Sequence, residues 1–178
     1  RRLDELCERR GRDQVVAAMH ELYAYSERVV RVALAALPDG RYEAEDVLEA
    51  MEGDLAIRCA VTIAGDELEI DFDGTSAQHA GNLNAPLAVA RSASYFVVRC
   101  VTDPDLPASG GAFAPVSVTA PLGCLVNAES PAAVAAGNVE TSSRIVDVLF
   151  RAFGAALPVP AQGQGTVNNV TFGNDAFT

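Results

Sequence analysis

The sequence predicts an α+β fold, and three patterns carry that prediction. Residues 15–36 place apolar side chains three and four positions apart, which is typical of one face of a long helix. Residues 55–72 contain two strand-like segments separated by Gly65-Asp66, a strong signal for a tight hairpin. A second helical spacing covers residues 138–153. Long helices are therefore expected together with antiparallel strands.

Two consecutive helices are predicted before residue 37. Leu3 and Leu6 begin a short helical turn, and the chain breaks at 11–13, where Asp13 is a plausible N-cap for the long helix. Residues 37–40 end that helix and turn the chain. The apolar stripe of the long helix consists of Val15, Met19, Leu22, Ser26, Val29, Ala33 and Ala36, widened by Val16, Tyr23 and Val30.

The hairpin has one polar and one apolar face. In its second strand Leu68, Ile70 and Phe72 alternate with Glu67, Glu69 and Asp71, as expected for an antiparallel strand with one solvated side. The polar stretch 41–51 shows no clear pattern, and we assign it no element.

The remaining elements follow from helix-start and turn signals. Pro86 suits the first turn of a helix over 86–101, and residues 116–120 form a short strand. Ser130-Pro131 suits the start of a short alanine-rich helix that Gly137 ends, after which Asn138 caps a helix to Phe153. Residues 162–178 are expected to be extended. Because no linker divides the chain, residues 1–178 are predicted to form a single domain.

The composition excludes several functions. The 178 residues carry 24 acidic and 13 basic side chains, for a net charge of -11, and every basic residue is an arginine. Without lysine there is no P-loop lysine and no Schiff-base lysine. Strong acidity argues against nucleic-acid binding, which needs clustered positive charge. No apolar stretch approaches the roughly 20 residues of a membrane span, so no membrane association is expected.

Cysteines and histidines are too widely spaced to predict a local zinc site. We expect the cysteines to be reduced, structural thiols of a cytoplasmic protein, and we assign no metal to this chain. A lone loop histidine such as His79 is expected to be solvated. These residues are Cys7, Cys59, Cys100, Cys124, His20 and His79.

One short motif suggests a phosphatase. Residues 71–75 read Asp-Phe-Asp-Gly-Thr, the pattern of haloacid-dehalogenase-type phosphatases, in which the first aspartate attacks phosphorus. Three observations count against it. The strand alternates instead of being apolar throughout, lysine is absent, and Asp103 and Asp105 lie in a proline-containing loop and not at a strand end.

A longer series of motifs resembles the hydantoinase B family. The family includes B subunits of ATP-dependent N-methylhydantoinases, the corresponding half of 5-oxoprolinase, and the acetone carboxylase alpha subunit. Family members are several times longer, so the chain resembles a central fragment of such a protein. The motifs occur in order between about Leu6 and Asn174, at 26–28, 37–42, 71–76, 81–86, 120–127, 131–134 and 137–145.

The resemblance implies ATP-dependent opening of a cyclic amide, such as a hydantoin or 5-oxoproline, through phosphorylation of a carbonyl oxygen and attack by water. It also implies a hydantoinase A-like ATPase subunit as the partner that holds ATP and magnesium. The metal site of the family would lie outside this stretch, so no cofactor is assigned to this chain. The isolated chain is predicted to be inactive, and the apolar helix stripe suggests a homo-oligomer. A non-catalytic assembly or scaffold domain is the alternative.

Eight residues are candidates for substrate binding, and no catalytic residue is assigned. Each has a structural alternative: an Asx turn from Asp73 to the backbone of Thr75 or Ser76, a simple polar turn at 81–84, and a capped helix start with a Glu140–Arg144 pair. The candidates are Asp71, Asp73, Thr75, Asn82, Asn84, Asn138, Glu140 and Arg144.

Overall fold

The chain begins with two consecutive helices, α1 (Arg2–Arg10) and α2 (Arg12–Ala35). They are seen in a computed structural model that describes residues 1–51, 53–103 and 105–163. Gly11 separates the helices with φ of 82°, a conformation that glycine adopts without a steric penalty. The break therefore falls where predicted. The residue that precedes α2 is nevertheless Gly11, and Asp13 lies inside the first turn, so its assignment as N-cap is wrong.

Only part of the α2 stripe is buried. Val15, Ser26, Val30 and Leu34 are buried, whereas much of the side chains of Met19 and Leu22 is exposed. The C-terminal half of α2 packs against the body of the protein, while its N-terminal half contacts α1. The apolar stripe of α2 therefore extends beyond the part that the rest of the described chain covers.

In the described residues, four strands form one mixed sheet in the order β1-β2-β3-β4. The strands are β1 (Gly40–Leu48), β2 (Leu55–Ala64), β3 (Glu67–Asp71) and β4 (Val116–Thr119). The first three are antiparallel, and β4 runs parallel to β3. β1 occupies the stretch to which no element was assigned. Its inward residues include Ala44 and Asp46, which give no alternating apolar signal.

The predicted hairpin is confirmed, with Ile63 paired to Leu68 across the turn. Leu68, Ile70 and Phe72 are buried, and Glu67 and Glu69 are exposed. The apolar face is covered by helices. α4 (Ser142–Phe153) packs on β1 and β2, and α3 (Leu87–Val101) packs on α4. The opposite face of the sheet is polar and open.

The segment before α4 differs from the prediction. Residues 130–136 form turns and irregular structure in place of an alanine-rich helix, and the Ser130–Pro131 peptide is cis. The backbone groups that a helix would need are bonded elsewhere, because Ala136 donates its N–H to Asn82 O at 2.9 Å and Ala133 O accepts from Asn84. A π-helical turn (Gly137–Thr141) leads into α4, so Asn138 lies inside this turn and is not a cap.

Within the described residues, no helix is long and apolar enough to cross a bilayer. The extended tail predicted for 162–178 lies outside the described residues from position 164 onward.

We predict that Gly111→Ala destabilises the fold. Gly111 lies in the 3-10 turn Gly110–Phe113, where an added Cβ would sit 1.9 Å from Tyr23 O on α2. Because backbone atoms must move to relieve that overlap, we expect a loss of at least about 2 kcal/mol in the free energy of unfolding by urea. Gly110→Ala is the matched control, since its Cβ would meet only the Tyr23 ring, at 3.5 Å. Equal stability of the two variants would contradict this packing.

Candidate functional site

The end of β3 holds the first two candidate residues. Asp71 Oδ1 accepts hydrogen bonds from the Asp73 backbone N–H and from Thr119 Oγ1, both at 3.1 Å. The Asx turn is therefore made by the carboxylate of Asp71, and its assignment to Asp73 is wrong. The Asp73 side chain is exposed.

The side chain of Thr75 is bonded within the fold. Its buried hydroxyl accepts from the Arg58 backbone N–H and donates to Arg58 O, both at 3.1 Å. Ser76 makes similar contacts with Ala56, through its hydroxyl and its backbone N–H, both at 2.9 Å. These bonds attach the loop after β3 to the start of β2, and the Thr75 hydroxyl is thereby already fully used.

A shallow cavity of about 420 Å³ lies on the polar face of the sheet. It is centred on Ala60, whose small side chain separates its cross-strand neighbours Glu43 and Asp71. One ion pair joins Arg58 on β2 to Glu45 on β1, and a second joins Arg41 to Glu43 along β1. The polar residues that line the cavity are Arg41, Glu43, Glu45, Arg58, Asp71 and Asp73.

Arg41 and Arg58 line this cavity but are not among the site residues predicted from the sequence. Arg58 lies on the polar face of β2, so strand alternation could have placed it there. Arg41 lies on β1, which gave no strand signal.

The phosphatase motif lies in the wrong environment for that chemistry. β3 has an antiparallel neighbour on one side, and its sheet is open on the polar face. A phosphatase strand of that type is buried in a parallel sheet. Asp71 also accepts two hydrogen bonds from its own chain. Both features disfavour Asp71 as a nucleophile.

Asn84 organises the second candidate loop. Its side chain is fully buried and makes four hydrogen bonds. Oδ1 accepts from the His79 N–H at 2.7 Å, and Nδ2 lies within 3.0 Å of the carbonyl oxygens of His79, Gly81 and Ala133. Asn84 therefore replaces secondary structure in this loop by satisfying its backbone groups.

His79 is held by the same loop. Its ring is half-buried, and Nδ1 accepts from the Gly81 N–H at 2.9 Å. The expectation of a simply solvated histidine is wrong. This bond leaves the ring proton of a neutral His79 on Nε2.

The loop is joined to the start of α4. Besides the Asn82–Ala136 bond, Thr141 Oγ1 donates to Leu83 O. Gly137 packs so closely that a Cβ there would lie 1.9 Å from Asn84 O. Asn82 thus lies beside the π-helical turn that carries Asn138 and Glu140. Asn82 and Asn138 are exposed and Glu140 is half-buried, and we call these three residues the amide cluster.

Arg144 points to a different partner from the one predicted. Its Nη1 lies 3.1 Å from Asp46 Oδ2 on β1, with both side chains less than one-fifth exposed. The expected Glu140–Arg144 pair is therefore replaced by a long-range pair. Burial acts to raise the pKa of Asp46, but hydrogen bonds from Gln162 and Val47 and the charge of Arg144 together lower it.

Asn138 also lines a groove of about 450 Å³ between α3 and α4. Phe96 and Val146 form apolar parts of its wall, and Ser142 and Ser143 bond their own helix backbone. Asp71 and Asp73 line the sheet cavity instead. The candidate residues are therefore not gathered in one site: Asp71 and Asp73 line the sheet cavity, Asn138 lines the groove, and Thr75 and Asn84 are buried. Which of them bind substrate stays a prediction.

The thiols do not supply a nucleophile at either surface. All four cysteines are free, and Cys59 and Cys124 are buried. Burial raises the pKa of Cys124, and it raises that of Cys59 to about 12, so both stay protonated at neutral pH. In the described part of the chain, no three histidine, cysteine or carboxylate side chains are grouped as metal ligands.

Comparison with known proteins identifies a family. Residues 1–177 match the model of the family described as hydantoinase B/oxoprolinase. The chain is 36% identical over 188 residues to 5-oxoprolinase 1 of Arabidopsis thaliana, covering 98% of this chain and 14% of that protein. It is 32% identical to the putative B subunit of a D-/L-hydantoinase from a Pseudomonas species, covering 94% of this chain and 31% of that protein.

A solved structure shows the same fold. The ATP-dependent caprolactamase of Pseudomonas jessenii superposes with a TM-score of 0.81 and 30% identity, covering 88% of this chain and 28% of that one. The chain therefore spans about a third or less of each of these relatives. The resemblance inferred from the ordered motifs is confirmed.

We predict that Asn84→Ala destabilises the chain while Asn82→Ala does not. Removing the Asn84 amide leaves the His79 N–H and three carbonyls without their partner, which should cost about 3 kcal/mol in the free energy of unfolding. Asn82 is an exposed amide two positions away and serves as the control. Chemical denaturation of both variants measures the difference. A similar midpoint and slope for both would contradict the role assigned to Asn84.

We also predict an acid-sensitive contribution from Asp46. Because its pKa is lowered in the folded state, its stabilisation is present above the ordinary aspartate pKa of about 4 and is lost as pH falls through the folded value. Asp46→Asn should therefore cost about 1–2 kcal/mol at pH 7. The deficit should shrink steadily as the pH is lowered below about 4.

Urea unfolding between neutral and acid pH tests this behaviour. Asp54→Asn, which changes an exposed carboxylate, is the control and should show no such deficit. A deficit for Asp46→Asn that is constant with pH would rule out the proposed charge dependence.

Proposed function

The chain belongs to the hydantoinase B/oxoprolinase family, and we propose that it forms the central part of a B-type subunit in an ATP-dependent cyclic amide hydrolase. The observation that carries this proposal is the match of residues 1–177 to one family. Its support comes from relatives named as a 5-oxoprolinase and as an ATP-dependent caprolactamase.

The proposed reaction opens a ring such as that of a hydantoin or 5-oxoproline. An unactivated amide resists water at neutral pH, so its carbonyl must be made more electrophilic. In the proposed sequence, the terminal phosphoryl group of ATP is transferred to the carbonyl oxygen and ADP is released. One water adds to the carbon, and the C–N bond breaks as the ring nitrogen takes a proton, which leaves an acyl phosphate. A second water hydrolyses this acyl phosphate to the carboxylate and phosphate. The chain has no lysine with which to hold the nucleotide phosphates. We therefore assign ATP and magnesium to a hydantoinase A-like partner subunit.

Within this chain, we assign substrate contact to the amide cluster of Asn82, Asn138 and Glu140. A cyclic amide presents an N–H donor and a carbonyl acceptor, and the side-chain amides of Asn82 and Asn138 offer the complementary groups. Both are exposed, so neither must give up a buried partner to bind a ring. Asn84 acts as a positioning residue, because its four hydrogen bonds define the loop that presents Asn82.

The other candidates have different proposed roles. The side chains of Thr75 and Arg144 are engaged with the backbone of Arg58 and with Asp46, so we assign them to support of the fold. Asp71 and Asp73 line the open sheet cavity and remain available to a ligand or a neighbouring subunit.

The alternative is a non-catalytic assembly domain. The internal use of Thr75, Asn84 and Arg144 favours it, since those three polar side chains serve the fold. The two proposals differ in what happens when the amide cluster is altered without loss of folding.

We predict that the isolated chain does not turn over 5-oxoproline or a hydantoin in the presence of ATP and magnesium, as followed by ADP release and ring opening. In a whole B-type protein containing this stretch, combined with its A-type subunit, Asn82→Ala and Asn138→Ala should each lower kcat/KM by about fivefold or more. The reason is that each substitution removes a hydrogen bond to the ring, worth at least about 1 kcal/mol.

Ser117→Ala, which alters an exposed residue on the polar face of β4, is the control and should leave kcat/KM unchanged. Unchanged kcat/KM in both asparagine variants would favour the assembly domain. Turnover by the isolated chain that is lost on Asn82→Ala would show that activation also occurs in this stretch.

A further inference from the structure

We propose that Asp73-Gly74 is a site of spontaneous isoaspartate formation, a covalent modification that alters one of the two carboxylates assigned to the sheet cavity. The chain contains two Asp-Gly pairs, Asp39-Gly40 and Asp73-Gly74. Aspartate followed by glycine cyclises readily, because glycine has no side chain to hinder its attacking nitrogen. The structure holds the first pair in place and leaves the second pair open to this reaction.

Both reacting groups of Asp73-Gly74 are free within the described residues. The side chain of Asp73 is exposed, and its carboxylate makes no hydrogen bond or ion pair with any described residue. The peptide that joins the two residues is unbonded as well. In the described part of the chain, neither the Asp73 carbonyl nor the Gly74 N–H has a hydrogen-bond partner.

The surrounding turn allows this peptide to rotate. Thr75 donates its N–H to Phe72 O at 3.2 Å, so Asp73 and Gly74 occupy the two central positions of a four-residue turn. Gly74 has φ of 81°, and glycine adopts negative φ about as readily. The central peptide can therefore rotate, and present the Gly74 nitrogen to Asp73 Cγ, while the bond between Phe72 and Thr75 is kept.

The modification needs no reagent other than water. The Gly74 nitrogen bonds to Cγ of the protonated Asp73 carboxyl group and loses its proton, and the carboxyl hydroxyl leaves with that proton as water. The product is a five-membered succinimide. Addition of water at Cγ restores aspartate, whereas addition at the former backbone carbonyl leaves the main chain running through Cγ and gives isoaspartate.

The pair Asp39-Gly40 is held by contacts on both of its residues. Asp39 Oδ1 accepts a hydrogen bond from the Gly65 N–H at 2.8 Å. Gly40 begins β1, where it is paired with Ile63, and a Cβ on it would lie 3.1 Å from the Tyr42 ring. These contacts must open before the Gly40 nitrogen can attack, so cyclisation should be slower here than at Asp73-Gly74.

Isoaspartate at position 73 changes the shape of the sheet cavity and not its charge. The main chain becomes longer by one carbon just before Thr75 and Ser76, whose hydroxyls attach this loop to β2. The carboxylate is kept, but it is attached directly to Cα. The modified chain therefore presents this charge from a different position.

Timed incubation of the folded chain near neutral pH, followed by tryptic digestion and mass spectrometry, tests the proposal. Cleavage after arginine places the two pairs in separate peptides, 32–41 and 59–91, and electron-transfer fragmentation locates isoaspartate within each. A sample digested without incubation gives the background. We expect isoaspartate to form at Asp73 at least about tenfold faster than at Asp39. Asp73→Glu keeps the charge but requires a larger ring, so it should abolish the modification at position 73 and leave Asp39 unaffected.

The same incubation in urea separates the effect of the structure from that of the dipeptide. Unfolding removes the contacts at both pairs, so the two rates should become similar. Equal rates at Asp73 and Asp39 in the folded chain would overturn the proposal. A rate at Asp73 that is about tenfold or more lower in the folded chain than in urea would also overturn it, because the turn would then protect the pair.

Discussion

The fully buried amide of Asn84 is the interaction on which the candidate site depends. It satisfies the backbone of His79, Gly81 and Ala133, which belong to two segments far apart in sequence and have no regular secondary structure. Gly137 then approaches the Asn84 backbone so closely that no side chain fits between them. These bonds give the loop a defined backbone path although it is neither a helix nor a strand.

The sheet supplies the second constraint. Because helices cover only one of its faces, each strand must divide its side chains into an apolar and a polar set. The polar set brings Arg41, Arg58 and Asp71 together on the open face, whereas Arg144 lies on α4 and pairs with Asp46. The one-sided arrangement therefore separates Asp71, on the open face, from Arg144, on the covered face.

The chain belongs to the hydantoinase B/oxoprolinase family, and the structure adds which of its polar side chains the fold itself uses. The buried thiols have raised pKa values and lysine is absent. The side chains of Thr75, Asn84 and Arg144 are engaged inside the fold, whereas those of Asp73, Asn82 and Asn138 are exposed. The exposed side chains can meet a ligand without breaking a contact of the fold.

The sequence by itself determined the α+β class, the hairpin at Gly65-Asp66 and the positions of the long helices, because those features depend on local turn chemistry and on apolar spacing. It did not reveal β1, because Ala44 and Asp46 interrupt the inward row between Tyr42 and Leu48, so that the alternation is unclear. Tertiary contacts decided the remainder. Asn84 binds the Ala133 carbonyl and Asn82 O accepts from the Ala136 N–H, two backbone groups that a helix at 131–137 would have used. Arg144 pairs with Asp46 and not with Glu140. Local patterns cannot show which distant group will satisfy a buried polar atom, since that depends on how the chain is brought together.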